Sequence, residues 1–129
     1  MFANNFAALL TVLVAAASAV SAAPTEVISP PVTSPKAGDV WQVGTTQNVT
    51  WDTSAIPAGT AQTGLILLGH IVGDSDDEHL DTKHPLAVNF PITAGFATVE
   101  VPDVATRDDY VVVLFGDSGN TSPKFTITN

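Results

Sequence analysis

Apolar and polar residues alternate along several short stretches of the chain, with the period of two that a half-buried β-strand requires. The clearest stretch is 47–52, where Val49 and Trp51 alternate with polar residues. It ends the segment 28–52, which also holds a proline-broken run, a Gly-Asp turn and a Gly-Thr-Thr turn. Because Trp51 is the bulkiest side chain in the alternating set, we expect it at the centre of a core.

Further apolar runs follow between turn residues. The run 64–72 is nearly continuous and bounded by glycine, which favours a buried strand over a helix. We predict turns or loops at 53–63, 74–85, 106–109 and 116–120, and no helix after residue 22. About seven short strands with regularly spaced turns are typical of an all-β sandwich. The expected strands are 40–43, 47–52, 64–72, 86–90, 96–101, 110–115 and 124–128, after a proline-rich edge or lead-in segment at 23–34.

Four aromatic residues are the expected core anchors. Tyr110 opens a strand before the last hairpin, where sandwich folds often use a tyrosine hydroxyl to tie down a neighbouring turn. Phe90 and Phe96 remain for the surface, with Trp41 as a third candidate if it lies outside the core. Glycan recognition by aromatic faces is therefore compatible with the sequence but not predicted by it. The anchors are Trp41, Trp51, Tyr110 and Phe125.

The 129 residues suffice for one domain, which we place at 23–129. Residues 1–22 contain an apolar run followed by small residues and predict a secretory signal peptide cut near Ala22; an uncleaved N-terminal anchor is the alternative. The net charge of −9 disfavours nucleic acid and anionic membranes as partners. No cysteine is present, so the domain must be stable without disulfides and has no thiolate metal site.

The segment 74–85 is the most polar part of the chain and predicts a solvated loop. Its carboxylates and imidazoles could hold a cation weakly, although their spacing matches no known cage. His70, on the preceding apolar strand, is expected to be a satisfied core or sheet-edge histidine. We therefore expect no cofactor and no metal, with these residues as weak candidates: Asp74, Asp76, Asp77, Glu78, His79, Asp81 and His84.

Enzyme signatures are weak. The tetrapeptide at 116–119 copies the GDSG of trypsin-like proteases, but a chain of this length cannot form their paired barrels, and we interpret it as a hairpin turn. Carboxylates in turns do not form the paired acids of a glycosidase cleft. A copper-dependent polysaccharide oxidase needs an N-terminal histidine, whereas the expected mature start is Ala23. We expect a non-catalytic protein.

Two sequons are candidate glycosylation sites in a secreted protein. Asn48 opens Asn-Val-Thr on the alternating strand and should face solvent. Asn120 opens Asn-Thr-Ser in a turn, where Pro123 reduces its chance of use.

The order of these motifs resembles a fungal extracellular module. It is the N-terminal domain of yeast-type cell-wall β-1,6-glucan synthesis proteins, also found in the fungal Ser/Thr-rich, glycosylphosphatidylinositol-anchored membrane family. The resemblance implies an immunoglobulin- or fibronectin-III-like antiparallel sandwich, secretion and a cell-wall setting. It rests on S-P-x-x-G-x-x-W-x-x-G-x-x-x-x-V-T-W from Ser34 to Trp51, a Gly-flanked apolar strand, Val101-Pro102, Asp109-Tyr110 and S-P-x-F-x-I from Ser122 to Ile127.

The anchored family carries a Ser/Thr-rich stalk and a hydrophobic C-terminal signal, whereas this chain stops at Asn129. We therefore expect a form without anchor or membrane association after signal cleavage. The leading functional hypothesis is a secreted, non-catalytic wall domain that takes part in wall assembly or associates with β-glucan or wall proteins. The alternative is a secreted protein-interaction module acting through a strand edge or the acidic loop. The sequence does not predict an oligomeric state.

Overall fold

The computed structural model describes residues 27–129, and the predicted signal peptide lies outside them. Nine short strands and one 3₁₀ turn, Ile92–Ala94, make up the regular structure of this part. No helix in it is long and apolar enough to cross a bilayer. The strands are β1 Val32–Ser34, β2 Val40–Gln42, β3 Thr46–Trp51, β4 Thr63–His70, β5 Ala87–Pro91, β6 Phe96–Glu100, β7 Arg107–Phe115, β8 Gly119–Thr121 and β9 Phe125–Thr128.

The strands form two sheets. The smaller sheet has the order β1-β3-β6 and is antiparallel throughout. The larger sheet has the order β2-β9-β7-β4-β5, and β8 pairs with the C-terminal end of β7. The chain passes from the small sheet to the large one between β1 and β2, just after the cis Ser34–Pro35 peptide. The all-β sandwich expected from the sequence is confirmed.

One core cluster joins the two sheets. Alternate residues of β3 and β6 supply its small-sheet side, and β4, β7 and β9 supply the other. In β9 the burial alternates, with Phe125 and Ile127 fully buried and Thr126 and Thr128 half-buried. This alternation is the one that the sequence predicts for half-buried strands. The cluster consists of Trp41, Val49, Trp51, Ile66, Leu68, Ile92, Ala97, Val99, Val101, Tyr110, Val112, Leu114, Phe125 and Ile127.

The four predicted anchors are all buried. Trp41 lies against Phe125 with 4.6 Å between ring centroids. Trp51 donates its indole N–H to the carbonyl oxygen of Ile92 over 2.8 Å, so its polar atom is paired inside the core. Tyr110 donates its hydroxyl to the carbonyl oxygen of Ala105 over 2.6 Å, five residues upstream. The expected tie between this tyrosine and a neighbouring turn is present.

Apart from small shifts in strand ends, such as β4 ending at His70 instead of residue 72, and the 3₁₀ turn, the structure differs from the sequence-based expectation in three main places. The predicted turn at 106–109 is wrong, because β7 begins at Arg107, whose guanidinium is paired with Asp109 on the same strand. The predicted turn at 116–120 is too long, because β8 begins at Gly119. The pairing is not wholly antiparallel, since β2 runs parallel to β9 with Trp41 beside Ile127. The start of β7 and the strand β8 were not predicted, because charged residues and glycine in these segments are more typical of turns.

Candidate functional site

The acidic loop after β4 satisfies its own polar groups. Asp77 accepts the backbone N–H of His79 over 2.9 Å, and Asp81 accepts those of Lys83 and His84 over 3.2 Å. The imidazole of His84 lies 3.1 Å from Asp81. Burial raises the pKa of Asp81, but its hydrogen bonds from His84 and from backbone N–H groups outweigh burial and lower it overall. These local turns direct the carboxylates to separate partners.

The structure does not assemble the candidate metal ligands into a cage. Within residues 27–129, no three histidine or acidic side chains are grouped so that they could hold a metal ion. Asp74 and Asp76 are exposed, and Glu78 bonds to the hydroxyl of Thr121 instead. The loop is mostly exposed to solvent, as expected.

The loop is nevertheless held against the large sheet. The backbone N–H of His70 donates to the carbonyl oxygen of Glu78 over 2.8 Å, and that of Asp81 donates to Leu68 over 2.9 Å. Gly69 makes this approach possible, because a Cβ there would lie 2.2 Å from the Glu78 carbonyl oxygen. The sequence shows Gly69, but it does not predict that the backbone of the acidic loop at Glu78 lies against it.

An ion pair at the start of β7 lies near the end of β4. Arg107 donates to both carboxylate oxygens of Asp109, over 2.7 and 2.9 Å. This pairing lowers the pKa of Asp109. Burial lowers the pKa of His70, and the positive charge of Arg107 lowers it further. Neither effect builds a catalytic base with an adjacent nucleophile.

The GDSG tetrapeptide has a structural role. The Asp117 carboxylate accepts the backbone N–H of Ile28 over 2.9 Å and the side-chain amide of Gln62 over 3.0 Å. Its own N–H donates to the Ile28 carbonyl oxygen over 2.7 Å. Ser118 is exposed, and no histidine of the described chain bonds to it. The turn therefore anchors the segment before β1, an interaction that the sequence analysis missed.

The two sequons have different surroundings. Asn48 is exposed in the middle of β3, and its Oδ1 accepts the hydroxyl of Thr98 over 2.9 Å. Asn120 is half-buried in β8, and its amide nitrogen donates to the carbonyl and hydroxyl oxygens of Ser29. The amide nitrogen of Asn48 therefore takes no part in its hydrogen bond to Thr98, whereas that of Asn120 is bonded to Ser29.

Surface aromatic faces are scarce in the described part of the chain. Of the rings that the sequence left for the surface, Phe90 is half-buried against Trp51, with 5.3 Å between centroids. Trp41 is buried, and Phe96 is 53% exposed. A row of two or three aromatic platforms is therefore not formed by these residues.

A shallow groove lies at one end of the sandwich, between the β3–β4 connection and the 3₁₀ turn. Its volume is about 300 Å³. Gly95 ends the 3₁₀ turn with φ of 84°, and its carbonyl oxygen accepts the N–H of Trp51 over 2.9 Å, which joins the two segments. A Cβ at Gly95 would lie 3.3 Å from the methyl group of Thr53. No charged side chain lines the groove. Its lining is Thr53, Ile56, Pro57, Ala58, Gly59, Thr60 and Thr93.

The groove combines hydroxyl groups with small apolar surfaces. Thr60 donates its hydroxyl to the carbonyl oxygen of Pro57 over 2.6 Å, which fixes that turn and leaves the hydroxyl oxygen able to accept. The side chains of Ile56 and Pro57 add apolar area. Such a lining suits a neutral ligand rich in hydroxyl groups, because nothing in it would compensate a ligand's charge.

Comparisons of the chain with protein-family models, with curated proteins and with solved structures found no match in any of the three.

Proposed function

We propose that this protein is a secreted, non-catalytic, immunoglobulin-like module of a fungal cell wall, and that it contributes to wall assembly by associating with β-glucan. The observation that carries the proposal is the uncharged, hydroxyl-lined groove on a protein whose net charge is −9. A neutral polysaccharide fits such a site, whereas an anionic polymer would be repelled by the rest of the surface.

The immunoglobulin-like assignment is supported by three features. The first part of the chain contributes β1 to one sheet and β2 to the other. The buried Trp51 lies between the sheets. Tyr110, in the strand before the final hairpin, bonds to the backbone a few residues upstream, as the tyrosine corner of such sandwiches does.

The glucan-binding part of the proposal is tested by retention on insoluble β-1,3/1,6-glucan. The full chain should be retained and should be released by soluble glucan oligomers. A Thr53→Val, Thr93→Val double variant removes two groove hydroxyls at nearly constant volume. We expect it to weaken retention by about threefold to tenfold per hydroxyl, the effect of one net hydrogen bond. Thr82→Val, on the acidic loop, is the matched control and should bind as the parent does.

No retention of the parent protein at low salt would contradict glucan association. Equal retention of the double variant and the parent would show that glucan binds elsewhere on the protein and not in the groove. Hydrolysis or oxidation of any polysaccharide by the purified protein would overturn the non-catalytic assignment.

A protein-interaction module is the second candidate, favoured by the edge position of β6, whose outer side pairs with no other strand in residues 27–129. The N–H of Val101 donates to Thr45, and Gly95 accepts from Trp51, so odd-numbered residues of β6 face β3. The backbone groups of Thr98 therefore point away from the sheet, where another chain's strand could add. Thr98→Pro would block such addition without removing a backbone hydrogen bond to β3, although it removes the side-chain bond to Asn48. Chemical cross-linking should capture a partner protein with the parent chain but not with Thr98→Pro. That result, with glucan retention unchanged, would support this candidate.

A further inference from the structure

The outer face of the β1-β3-β6 sheet carries a row of uncharged polar side chains. Asn48 lies near its centre, directly opposite Thr98 in the β3–β6 pairing. The Thr98 hydroxyl donates to Asn48 Oδ1, which turns that oxygen toward β6. The amide nitrogen is thereby directed away from Thr98, and the side chain is exposed. An exposed amide nitrogen within Asn-Val-Thr is an acceptor for a sugar.

We propose that Asn48 carries an N-linked glycan and that the ring of Phe96 supports its first sugar, while Asn120 stays unmodified. The inference rests on the proposed extracellular setting, because the donor of such glycans is met in the secretory pathway. It goes beyond that setting by assigning one of two sequons and by giving a role to an exposed aromatic ring.

The reaction is a group transfer. Asn48 Nδ2 forms a bond to the anomeric carbon of an oligosaccharide carried on a lipid pyrophosphate. The bond from that carbon to the pyrophosphate oxygen breaks, the lipid pyrophosphate leaves, and one amide proton is lost to a base of the transferase. No oxidant or reductant is needed, and the product keeps one N–H on the amide.

Phe96 is placed to contact the attached sugar. It is opposite Thr50 in the pairing, which puts it diagonal to Asn48 on the same face. Diagonal neighbours on an antiparallel pair are about 7–8 Å apart, within reach of an aromatic side chain and a sugar ring. The ring is 53% exposed, so its apolar face is open to the C–H groups of a sugar.

Asn120 is excluded by its hydrogen bonds. Its amide nitrogen donates to both the carbonyl and the hydroxyl oxygen of Ser29, and the side chain is half-buried. A sugar on that nitrogen would replace one of its two protons and would occupy the space that Ser29 fills. The folded protein can keep the Asn120–Ser29 contact only without a glycan.

Two forms of the full chain, produced in a yeast host, test the site. One form is the chain alone, and the other has a secretion signal of the host added before Met1. We expect an endoglycosidase to reduce the mass of the secreted parent and of Asn120→Gln by one glycan, and to leave Asn48→Gln unchanged. Thr50→Val should also lack the glycan, whereas Thr50→Ser should retain it.

The outcomes separate this inference from the proposed function. A secreted, signal-bearing parent without a glycan, or with one on Asn120, overturns the assignment. A glycan on the signal-bearing form alone supports the Asn48 site and contradicts the proposed extracellular setting of the native chain.

The part played by Phe96 is tested by thermal unfolding of the glycosylated protein trimmed to one sugar. Replacing Asn48 by Gln should lower the midpoint by about 2–4 °C in the parent, as expected for one aromatic contact. In a Phe96→Ala background the same replacement should lower the midpoint less, because there it removes only the Thr98–Asn48 hydrogen bond. Val88→Ala, which removes an exposed apolar side chain from the other sheet, is the control background. In it, Asn48→Gln should lower the midpoint as much as in the parent. An equal loss in the Phe96→Ala background would overturn the contact.

Discussion

The imidazole rings of His70 and His79 are stacked, with 4.4 Å between their centroids and 6° between their planes. Nδ1 of His79 lies 3.1 Å from the carbonyl oxygen of His70, which can only accept, so this nitrogen carries the proton. The stack joins the acidic loop to the last residue of β4. Two rings at this separation repel when both are protonated, and this repulsion is one of the causes that lower the pKa of His70.

We predict that the protein becomes less stable as the pH falls below the ordinary histidine value of 6.5. Burial lowers the pKa of His70, Arg107 and His79 lower it further, and Asp109 and Asp77 oppose the shift. The unfolded chain therefore binds a proton at a higher pH than the folded chain does. The contribution of His70 to stability is fully present above 6.5 and is lost progressively as the pH falls from 6.5 through its lowered pKa. Urea unfolding from about pH 7.5 to about pH 5 measures this decline.

His70→Gln removes the titrating ring and should flatten the decline. His84→Gln is the matched control, because His84 is exposed on the same loop and lies against Asp81 rather than against His70. That variant should show the same decline as the parent. A flat profile in the parent, or equal slopes for the parent and His70→Gln, would contradict the prediction.

Trp51→Phe should cost about 2–4 kcal/mol of unfolding free energy. The smaller ring leaves a cavity, and the carbonyl oxygen of Ile92 loses its donor inside the core. Trp41→Phe is the comparison, because Trp41 is equally buried and has no such indole hydrogen bond among the described residues. Urea unfolding of both variants should show the larger loss for Trp51. Equal losses would mean that the Ile92 bond contributes nothing beyond ring volume.

Much of this fold is predictable from alternation alone. Val49 and Trp51 are buried and their polar neighbours are not, because a strand presents successive side chains to opposite faces. The turn at 106–109 was wrong because Arg107 and Asp109 satisfy each other on a strand, and a pattern of charged residues does not reveal that pairing. Local sequence also cannot show that β2 runs parallel to β9, since the partner lies at the far end of the chain.

The candidate groove was not predictable. Its residues belong to two connections that the sequence describes only as turns, and these connections lie together where Gly95 accepts the N–H of Trp51. The role of Asp117 in anchoring the segment before β1 was also not predictable, because it depends on residues distant in the sequence. Its partners, Ile28 and Gln62, lie 89 and 55 residues away, and a motif of four residues contains no information about them.

Tyr110→Phe should lower the unfolding free energy by about 1 kcal/mol. The variant keeps the buried ring and removes only the hydroxyl that donates to Ala105 over 2.6 Å, which is the net value of one hydrogen bond. Burial raises the pKa of this tyrosine. Alkaline titration of its absorbance should therefore give a midpoint above that of free tyrosine. An ordinary midpoint together with an unchanged stability would show that the hydroxyl is not held.

Gly69→Ala should detach the acidic loop while leaving the core intact. The added Cβ would lie 2.2 Å from the carbonyl oxygen of Glu78 and 2.9 Å from Cδ2 of Leu80, so the loop backbone must move. Overpacking of this kind costs about 1–3 kcal/mol. We expect faster proteolysis within 74–85 and loss of amide-exchange protection at His70, whose N–H donates to Glu78. Thr82→Ala, an exposed change in the same loop, should alter neither rate, and unchanged protection in Gly69→Ala would mean that the loop does not dock on β4.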